Sequence, residues 1–259
     1  MKIGCYNDAM TETRRTAFVT GASYGVGAAT AVALARVGYD VAVSATRLGN
    51  LDETVARVRQ AGARVVPVAL DLRAPESIAE AMAGVLAAFG RLDLLVNNAG
   101  TNLRKLAVDV TPTEWDDMFA ANVTGTFFLT QAAGRHFIAG GKGGAVVTVA
   151  STHALVGAPE RSTYGIAKAA LVQMTRMLAV EWAAHNVRVN AVAPGRMETA
   201  SPSRTAKGSD PKYMAAMLER IPLHRLATPE EVAAAVVYLA GAASVTGQVI
   251  VLDGGLTAA

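Results

Sequence analysis

Residues 16–27 read TAFVTGASYGVG, a short apolar run followed directly by closely spaced glycines. The run predicts a buried strand, and the small residues of segment 25–37 predict the helix that follows it. Between them, Gly21 permits a tight turn, while Gly25 and Gly27 let the backbone and the helix approach closely. Because a helix N-terminus carries free N–H groups and a partial positive charge, this strand–turn–helix unit is typical of a pyrophosphate-binding site.

Strand and helix patterns alternate through the rest of the chain. Strands are predicted at residues 16–20, 41–44, 64–70, 92–96, 145–149, 187–192 and 248–252. Helices are predicted at residues 25–37, 51–60, 76–89, 162–184, 211–220 and 229–239, with one or two more in 113–139. The strands are continuous runs of Val, Leu and Ala, as expected where helices cover both faces of a sheet. The sequence therefore predicts an α/β fold, a Rossmann-type doubly wound parallel sheet of about seven strands with helices on both faces.

No linker rich in Pro or Ser and no block of like charges interrupts this pattern. Residues 15–259 are therefore predicted to form one domain. Residues 1–14 precede the first strand and are expected to be a mobile extension. Segment 196–210 lacks apolar periodicity, which is typical of a functional lid, so we expect a substrate loop at about 196–220.

The composition excludes several classes of function. Lys and Arg total 24 against 21 Asp and Glu, and the resulting net charge of +3 is too small for a dedicated nucleic-acid binder. Cys5 is the single cysteine, so neither an intrachain disulfide nor a cysteine-based metal site is possible. The four histidines show no metal-ligand spacing, so no catalytic metal is expected. No apolar run approaches the roughly 18 residues of a membrane span, and no secretory signal is present, so we expect a cytoplasmic protein.

The glycine-rich turn also matches a second class of enzyme. Gly21-Ala22-Ser23-Tyr24-Gly25 fits the G-x-S-x-G elbow of serine hydrolases, with Ser23 as the nucleophile. That elbow needs an oxyanion loop from an earlier strand, and Ser23 follows the first strand of this chain. The order of the elements therefore favours the pyrophosphate site over the hydrolase.

Tyr164 and Lys168 lie four residues apart in the sequence YGIAK, on one face of a predicted helix. Tyrosine alone is a poor acid–base catalyst at neutral pH because its phenol is a weak acid. A neighbouring ammonium stabilises the phenolate, so the pair has the elements of a general acid. The alternative is a solvated or packing pair with no catalytic role.

Five motifs occur together in the order and at the spacing of one enzyme family. They are residues 20–27, Asn97-Asn98-Ala99-Gly100, Ser151, the Tyr164/Lys168 pair and Pro194-Gly195. Over residues 16–256 the chain resembles the short-chain dehydrogenase/reductase family, on its branch of 3-oxoacyl-carrier-protein reductases. The resemblance implies hydride transfer between a nicotinamide cofactor and a carbonyl or carbinol carbon.

The resemblance implies catalytic roles for four side chains. Tyr164 would be the general acid in reduction and the base in oxidation, while Ser151 would hydrogen-bond the substrate carbonyl oxygen. Lys168 would bind the nicotinamide ribose hydroxyls and stabilise the Tyr164 phenolate. Asn122 would hold a water that links Lys168 to solvent; without the family it is only a polar residue in a helix.

The resemblance also implies the contacts to the cofactor. Asp71 and Leu72 would meet the adenine, and residues 98–100 would pass the adenine ribose. The nicotinamide carboxamide would lie beside Pro194, Gly195, Met197 and Thr199. The implied cofactor-binding residues are Gly21, Ala22, Ser23, Tyr24, Gly25, Val26, Gly27, Thr46, Arg47, Asp71, Leu72, Asn98, Ala99, Gly100, Tyr164, Lys168, Pro194, Gly195, Met197 and Thr199.

The end of the second predicted strand indicates which dinucleotide binds. An NAD site usually has an acidic residue there for the ribose 2′-hydroxyl, whereas this chain has Thr46 followed by Arg47. Without the acid a 2′-phosphate is not repelled, and Arg47 adds a cation that can bind it bidentately. Ser23 adds a hydroxyl donor, although Tyr24 stands where many NADP-preferring relatives have a basic residue. NADP(H) is therefore the expected cofactor, with NAD(H) possible and Arg47 as a solvated loop charge the alternative.

The sequence says least about the substrate. Segments near the C-terminus resemble 3-oxoacyl reductases, whereas residues 98–105 resemble gluconate-type sugar-acid dehydrogenases and tropinone-type reductases. Arg104 and Lys105 would face an anionic substrate or a carrier arm, or be plain solvated charges. His153 and Arg161 fall where family members line the pocket, with a satisfied loop histidine as the alternative. The implied substrate-binding residues are Ser151, His153, Arg161 and Tyr164.

Two further expectations follow from the family. A catalytically silent NAD(P)-binding regulatory protein is the alternative of another class, and the presence of all four catalytic residue types disfavours it. Segments 113–139 and 162–184 carry more apolar residues than one sheet face needs, and the corresponding helices of the family pair across a two-fold axis. We therefore expect a homotetramer, with a dimer as the fallback.

Overall fold

The computed structural model describes residues 14–197 and 211–259. In this part of the chain, seven parallel strands form one sheet in the order β3-β2-β1-β4-β5-β6-β7. The strands are β1 (Arg15–Val19), β2 (Tyr39–Ala45), β3 (Val65–Ala69), β4 (Leu94–Asn97), β5 (Gly144–Val149), β6 (Val187–Pro194) and β7 (Val249–Leu252). The α/β, doubly wound prediction is confirmed.

Helices connect successive strands. They are α1 (Gly25–Arg36), α2 (Asp52–Gln60), α3 (Pro75–Phe89), α4 (Pro112–Phe119), α5 (Gly125–Gly140), α6 (Ser162–Trp182), α7 (Pro211–Glu219) and α8 (Pro229–Gly241). The pattern in residues 113–139 resolves into α4 and α5, separated by a π-helical turn at Ala120–Thr124. Gly125 begins α5 where no side chain fits, because a Cβ there would lie 1.9 Å from the Leu72 carbonyl oxygen. No helix among the described residues is long and apolar enough to cross a membrane.

Each face of the sheet packs on its own set of helices. One buried cluster joins alternate strand residues such as Val19 and Val43 to α1, α2 and α8. The other joins the intervening residues, such as Phe18 and Ala42, to α3, α5 and α6. Because both faces are buried, most successive strand residues are apolar, and this explains why the strands appear as nearly continuous apolar runs in the sequence.

The strand order reverses between β1 and β4, which are neighbours in the sheet. In doubly wound sheets, the loops that leave the carboxyl ends of such strands turn in opposite directions and open a crevice. The glycine-rich turn follows β1, and Asn98 to Gly100 follow β4. The topology therefore brings two of the sequence motifs to one crevice.

Candidate active site

A cleft of about 550 Å³ lies at the carboxyl ends of the strands. Most of the predicted site residues line it: Gly21, Ser23, Tyr24, Gly25, Val26, Thr46, Asp71, Leu72, Asn98, Ala99, Gly100, Ser151, Tyr164, Lys168, Pro194, Gly195 and Met197. The cleft has a β2–β3 end, at Thr46 and Asp71, and a β5–α6 end, at Ser151 and Tyr164. The structure thus brings together residues from seven separate segments of the chain.

The glycine-rich turn has no room for side chains where it is most closely packed. Gly21 has a φ of 63°, and a Cβ on it would lie 2.7 Å from Ala99 Cα. A Cβ on Gly27 would lie 2.3 Å from the Gly21 carbonyl oxygen. Tyr24 is the N-cap of α1 and its side chain makes no capping hydrogen bond, so the helix N-terminus keeps donors for an anion. The turn therefore fits a dinucleotide pyrophosphate. Ala22 and Gly27 are buried beneath it and do not line the cleft.

Hydrogen bonds fix the two loops of the crevice against each other. The backbone N–H groups of Asn98 and Ala99 each donate to Thr20 Oγ1 at 3.0 Å. In return, Asn98 Nδ2 donates to the carbonyl oxygens of Thr20 at 3.0 Å and Gly21 at 2.8 Å. The β4 loop and the phosphate-binding turn therefore form one rigid wall of the cleft.

Three of the four predicted catalytic side chains meet at the β5–α6 end. Ser151 follows β5, and its Oγ accepts a hydrogen bond from the His153 N–H at 3.2 Å. Tyr164 and Lys168 lie one turn apart on α6, with Lys168 Nζ 5.8 Å from the centre of the Tyr164 ring. Lys168 is buried and donates to the Val149 carbonyl oxygen at 2.8 Å. This bond holds the ammonium on the cleft wall beneath the tyrosine.

Asn122 lies in the π-helical turn and behind the cleft lining. Its Oδ1 accepts from the Thr101 N–H at 2.7 Å, and its Nδ2 donates to the Thr101 carbonyl oxygen at 3.0 Å. The same Nδ2 lies 2.6 Å from Met118 Sδ. Gly100 must be glycine here, because a Cβ would lie 2.5 Å from Asn122 Oδ1. The amide thus fixes the loop after β4, and its role in holding a water stays a prediction.

At the β2–β3 end, the turn after β1 is tied to β2 by the Ala22 N–H, which donates to the Ser44 carbonyl oxygen at 2.9 Å. Thr46 follows β2 and lines the cleft. Arg47 is exposed directly after it and is not among the described residues that line the cleft. Of these two residues, Thr46 is therefore the one in the described cleft lining.

Two cations that follow the cleft residue Asn102 in the chain are paired with carboxylates. Arg104 Nε donates to Glu160 Oε2 at 2.5 Å. Lys105 Nζ donates to both carboxylate oxygens of Glu114, at 2.8 and 2.9 Å. The lysine hydrogen bond, with a second bond from Thr111, lowers the pKa of Glu114 to about 2. Each cation is therefore neutralised by a carboxylate.

Two predicted substrate residues flank the cleft without being part of its described lining. The His153 ring stands edge-on to the Tyr164 ring, with the ring centres 6.1 Å apart. Arg161 Nη1 donates to Oδ1 of Asn102, which does line the cleft. Thr199 and most of the predicted substrate loop lie outside the described residues, as do residues 1–13 of the predicted extension.

Ten residues of the cleft lining are not among the site residues that the motifs predict. They are Ser44, Ala45, Asn50, Leu70, Arg73, Thr101, Asn102, Ala121, Val149 and Ala150. Nearly all are chain neighbours of predicted residues, so the signal that identifies them is adjacency to a motif. In residues 14–197 and 211–259, no group of three or more His, Cys, Asp or Glu side chains is placed to hold a metal ion.

Residues 21–257 match the family model described as Enoyl-(Acyl carrier protein) reductase, which covers most of the chain. The chain belongs to the short-chain dehydrogenase/reductase family. Membership excludes the hydrolase alternative for Ser23. This short-chain dehydrogenase/reductase is an oxidoreductase of small-molecule substrates and binds NAD(P).

Its relatives differ in substrate. 2-dehydro-3-deoxy-D-gluconate 5-dehydrogenase of Escherichia coli is 36% identical over 243 residues, which cover 93% of this chain and 94% of the relative. The 3-oxoacyl-[acyl-carrier-protein] reductase of Thermotoga maritima is 36% identical over 244 residues, which cover 93% and 97%. An Agrobacterium tumefaciens crystal structure with bound NADP, provisionally described as a 2-deoxy-D-gluconate 3-dehydrogenase, has a TM-score of 0.86 and 36% identity and covers 95% and 97% of the two chains.

Proposed function

We propose that this short-chain dehydrogenase/reductase uses NADP(H) to interconvert a ketone and a secondary alcohol, with a 3-oxoacyl thioester of acyl-carrier-protein or coenzyme A type as substrate. The observation that carries the substrate class is the pairing of the two cations that follow the cleft residue Asn102. Arg104 is bonded to Glu160 and Lys105 to Glu114, so neither cation offers a net charge to a free carboxylate. The reacting 3-oxoacyl group of such a thioester is uncharged, whereas a sugar acid carries a carboxylate, so paired cations favour the thioester.

The roles of the catalytic residues are part of this proposal. The nicotinamide, when bound, supplies or accepts the hydride. The Tyr164 hydroxyl gives its proton to the carbonyl oxygen in reduction and takes it back in oxidation. Ser151 Oγ accepts from the His153 N–H, so its own proton is available to polarise that oxygen. Lys168 holds the ribose hydroxyls and stabilises the Tyr164 phenolate by its charge.

The adenosine half of the cofactor would lie at the β2–β3 end and the nicotinamide at the β5–α6 end. The glycine-rich turn, with the N-terminus of α1, would hold the pyrophosphate. Asp71 and Leu72 would meet the adenine, and Pro194, Gly195 and Met197 the carboxamide. All five of these residues line the cleft, which supports the assignment.

The NADP(H) preference rests on Thr46 and Arg47. No acidic residue occupies the end of β2, and a structural neighbour at 36% identity contains NADP. Arg47→Ala should weaken NADPH binding by about 1.5–3 kcal/mol, the range for a hydrogen bond to a charged group, and leave NADH binding nearly unchanged. Fluorescence titration with both cofactors measures this. A wild-type kcat/KM that is higher with NADH than with NADPH would contradict the preference.

A sugar-acid substrate is the second candidate, favoured by one observation at the β5–α6 end. Arg161 donates to Asn102, which places a guanidinium behind a residue of the cleft wall. The E. coli relative named for a sugar acid is as similar to this chain as the T. maritima 3-oxoacyl reductase.

NADPH oxidation against three ketone classes separates these candidates. The panel is a 3-oxoacyl thioester, a sugar keto acid and a cyclic ketone. We expect the highest kcat/KM with the thioester. A preference for the keto acid that is lost in Arg161→Leu would favour the second candidate. NADPH binding without turnover of any ketone would instead support a regulatory binding protein.

We also propose a homotetramer, located in the cytoplasm. Large apolar side chains are exposed on α4, α5 and α6, among them Trp115, Phe127, Phe128 and Met177. Apolar surface of this extent on neighbouring helices is typical of an interface between identical subunits. Light scattering at micromolar concentration should give the mass of four chains, and a monomer mass would overturn the proposal.

A further inference from the structure

Arg73 lies at the β2–β3 end of the cleft and belongs to none of the family motifs. It follows Asp71 and Leu72 in the segment between β3 and α3, and it lines the cleft together with both of them. Among the described residues, it is the arginine that lines this cleft. Its position therefore places a cation at the end of the site that would receive the adenosine.

Asp71 sets the conformation of this arginine. The Arg73 N–H donates to Asp71 Oδ1 at 3.0 Å, and Arg73 Nη1 lies 3.6 Å from the same oxygen. The Asp71 N–H donates to Ser77 Oγ at 3.0 Å, which anchors the aspartate to the first turn of α3. The arginine side chain is thus folded back across the end of β3, with 41% of it exposed.

An ion pair of this kind engages the edge of a guanidinium and leaves its planar faces for stacking. Arginine stacks on aromatic rings through both cation–π attraction and planar contact. A nucleic-acid base offers such a ring in every dinucleotide cofactor. Buried Leu70 and Leu72 line the same end of the cleft, so the surroundings suit a flat, largely apolar ring.

We propose that the Arg73 guanidinium stacks on the adenine base of the bound dinucleotide. The inference rests on the proposed function only in that the adenosine half lies at the β2–β3 end. It differs from the role of Arg47, which would read the 2′-phosphate. Arg73 meets the part that NADPH and NADH share, so it contributes to total affinity and not to the choice between them.

Equilibrium titration of nicotinamide fluorescence tests this without turnover. Arg73→Leu keeps most of the aliphatic stem and removes the guanidinium, and it should weaken NADPH and NADH alike by about 3- to 30-fold. Reduced nicotinamide mononucleotide, which has no adenine, should bind both proteins equally. Arg59→Leu is the matched control, because Arg59 is exposed near the end of α2, away from the cleft, and it should change none of the three affinities.

Three outcomes would overturn the stacking assignment. A loss confined to NADPH would make Arg73 a phosphate ligand, and no loss would make it only the counterion of Asp71. An equal loss for the mononucleotide would indicate a general distortion of the cleft. None of these requires a ketone substrate, so failure of the proposed reaction and failure of this assignment are separately visible.

Discussion

Tyr164→Phe should lower kcat by roughly 10²–10⁴-fold, the contribution of a positioned general acid. Phenylalanine keeps the ring, and therefore its edge-on contact with His153 and its place one turn from Lys168. Only the hydroxyl that would exchange a proton with the substrate oxygen is lost. NADPH affinity and thermal stability should accordingly stay close to the wild-type values. Steady-state kinetics on the best ketone of the panel measure kcat, a fluorescence titration measures the NADPH affinity, and thermal unfolding measures the stability.

Tyr238→Phe is the matched control for this substitution. Tyr238 is exposed on α8 and does not line the cleft, so removal of its hydroxyl should change neither kcat nor NADPH affinity. If Tyr164→Phe kept more than about a tenth of the wild-type kcat, another group would have to be the acid.

The fold follows closely from the sequence because its pattern has a simple physical origin. The inner parts of β1 and β2, residues 17–19 and 41–43, are apolar at every position since each face of the sheet packs on helices, and such runs predict buried strands. Element ends are less determined, as with β2, which begins at Tyr39, two residues before the predicted start. Tyr39 is buried, but the preceding Gly38 and the polar Asp40 separate it from the apolar run that marks the strand in the sequence. Tertiary packing, which decides such positions, has no local signal.

The site likewise contains residues that local sequence patterns predict and contacts that they do not. The glycines of the phosphate-binding turn and the Tyr164/Lys168 pair are local patterns, and the structure places them on one cleft as the motifs predict. The pairing of Arg104 with Glu160 is different, because the partners are 56 residues apart in the chain. No spacing rule predicts this pairing, yet it decides whether Arg104 is neutralised by a carboxylate. The hydrogen bonds that tie Asn122 to Thr101 likewise depend on the π-helical turn, for which the sequence offers no clear signal.

Lys168→Met should lower kcat by at least about 10²-fold and also weaken NADPH binding, because the lysine is proposed to have two functions. Methionine has a similar length and no charge, so neither the phenolate nor the ribose hydroxyls would be held. The loss of hydrogen bonds from a charged group corresponds to about 1.5–3 kcal/mol of cofactor binding energy. Thermal unfolding should change little. Removal of a buried charge offsets the loss of the 2.8 Å bond to the Val149 carbonyl.

Lys142→Met is the control for Lys168→Met, since Lys142 is exposed in the loop before β5 and should affect neither quantity. The two proposed functions of Lys168 are then separable. A fall in kcat with unchanged NADPH affinity would leave Lys168 acting on Tyr164 alone, across the 5.8 Å between its ammonium and the ring centre. Weaker NADPH binding with unchanged kcat would leave it as a ribose ligand alone. Wild-type values of both would remove Lys168 from the active site, although its burial beside Tyr164 would then have no functional explanation.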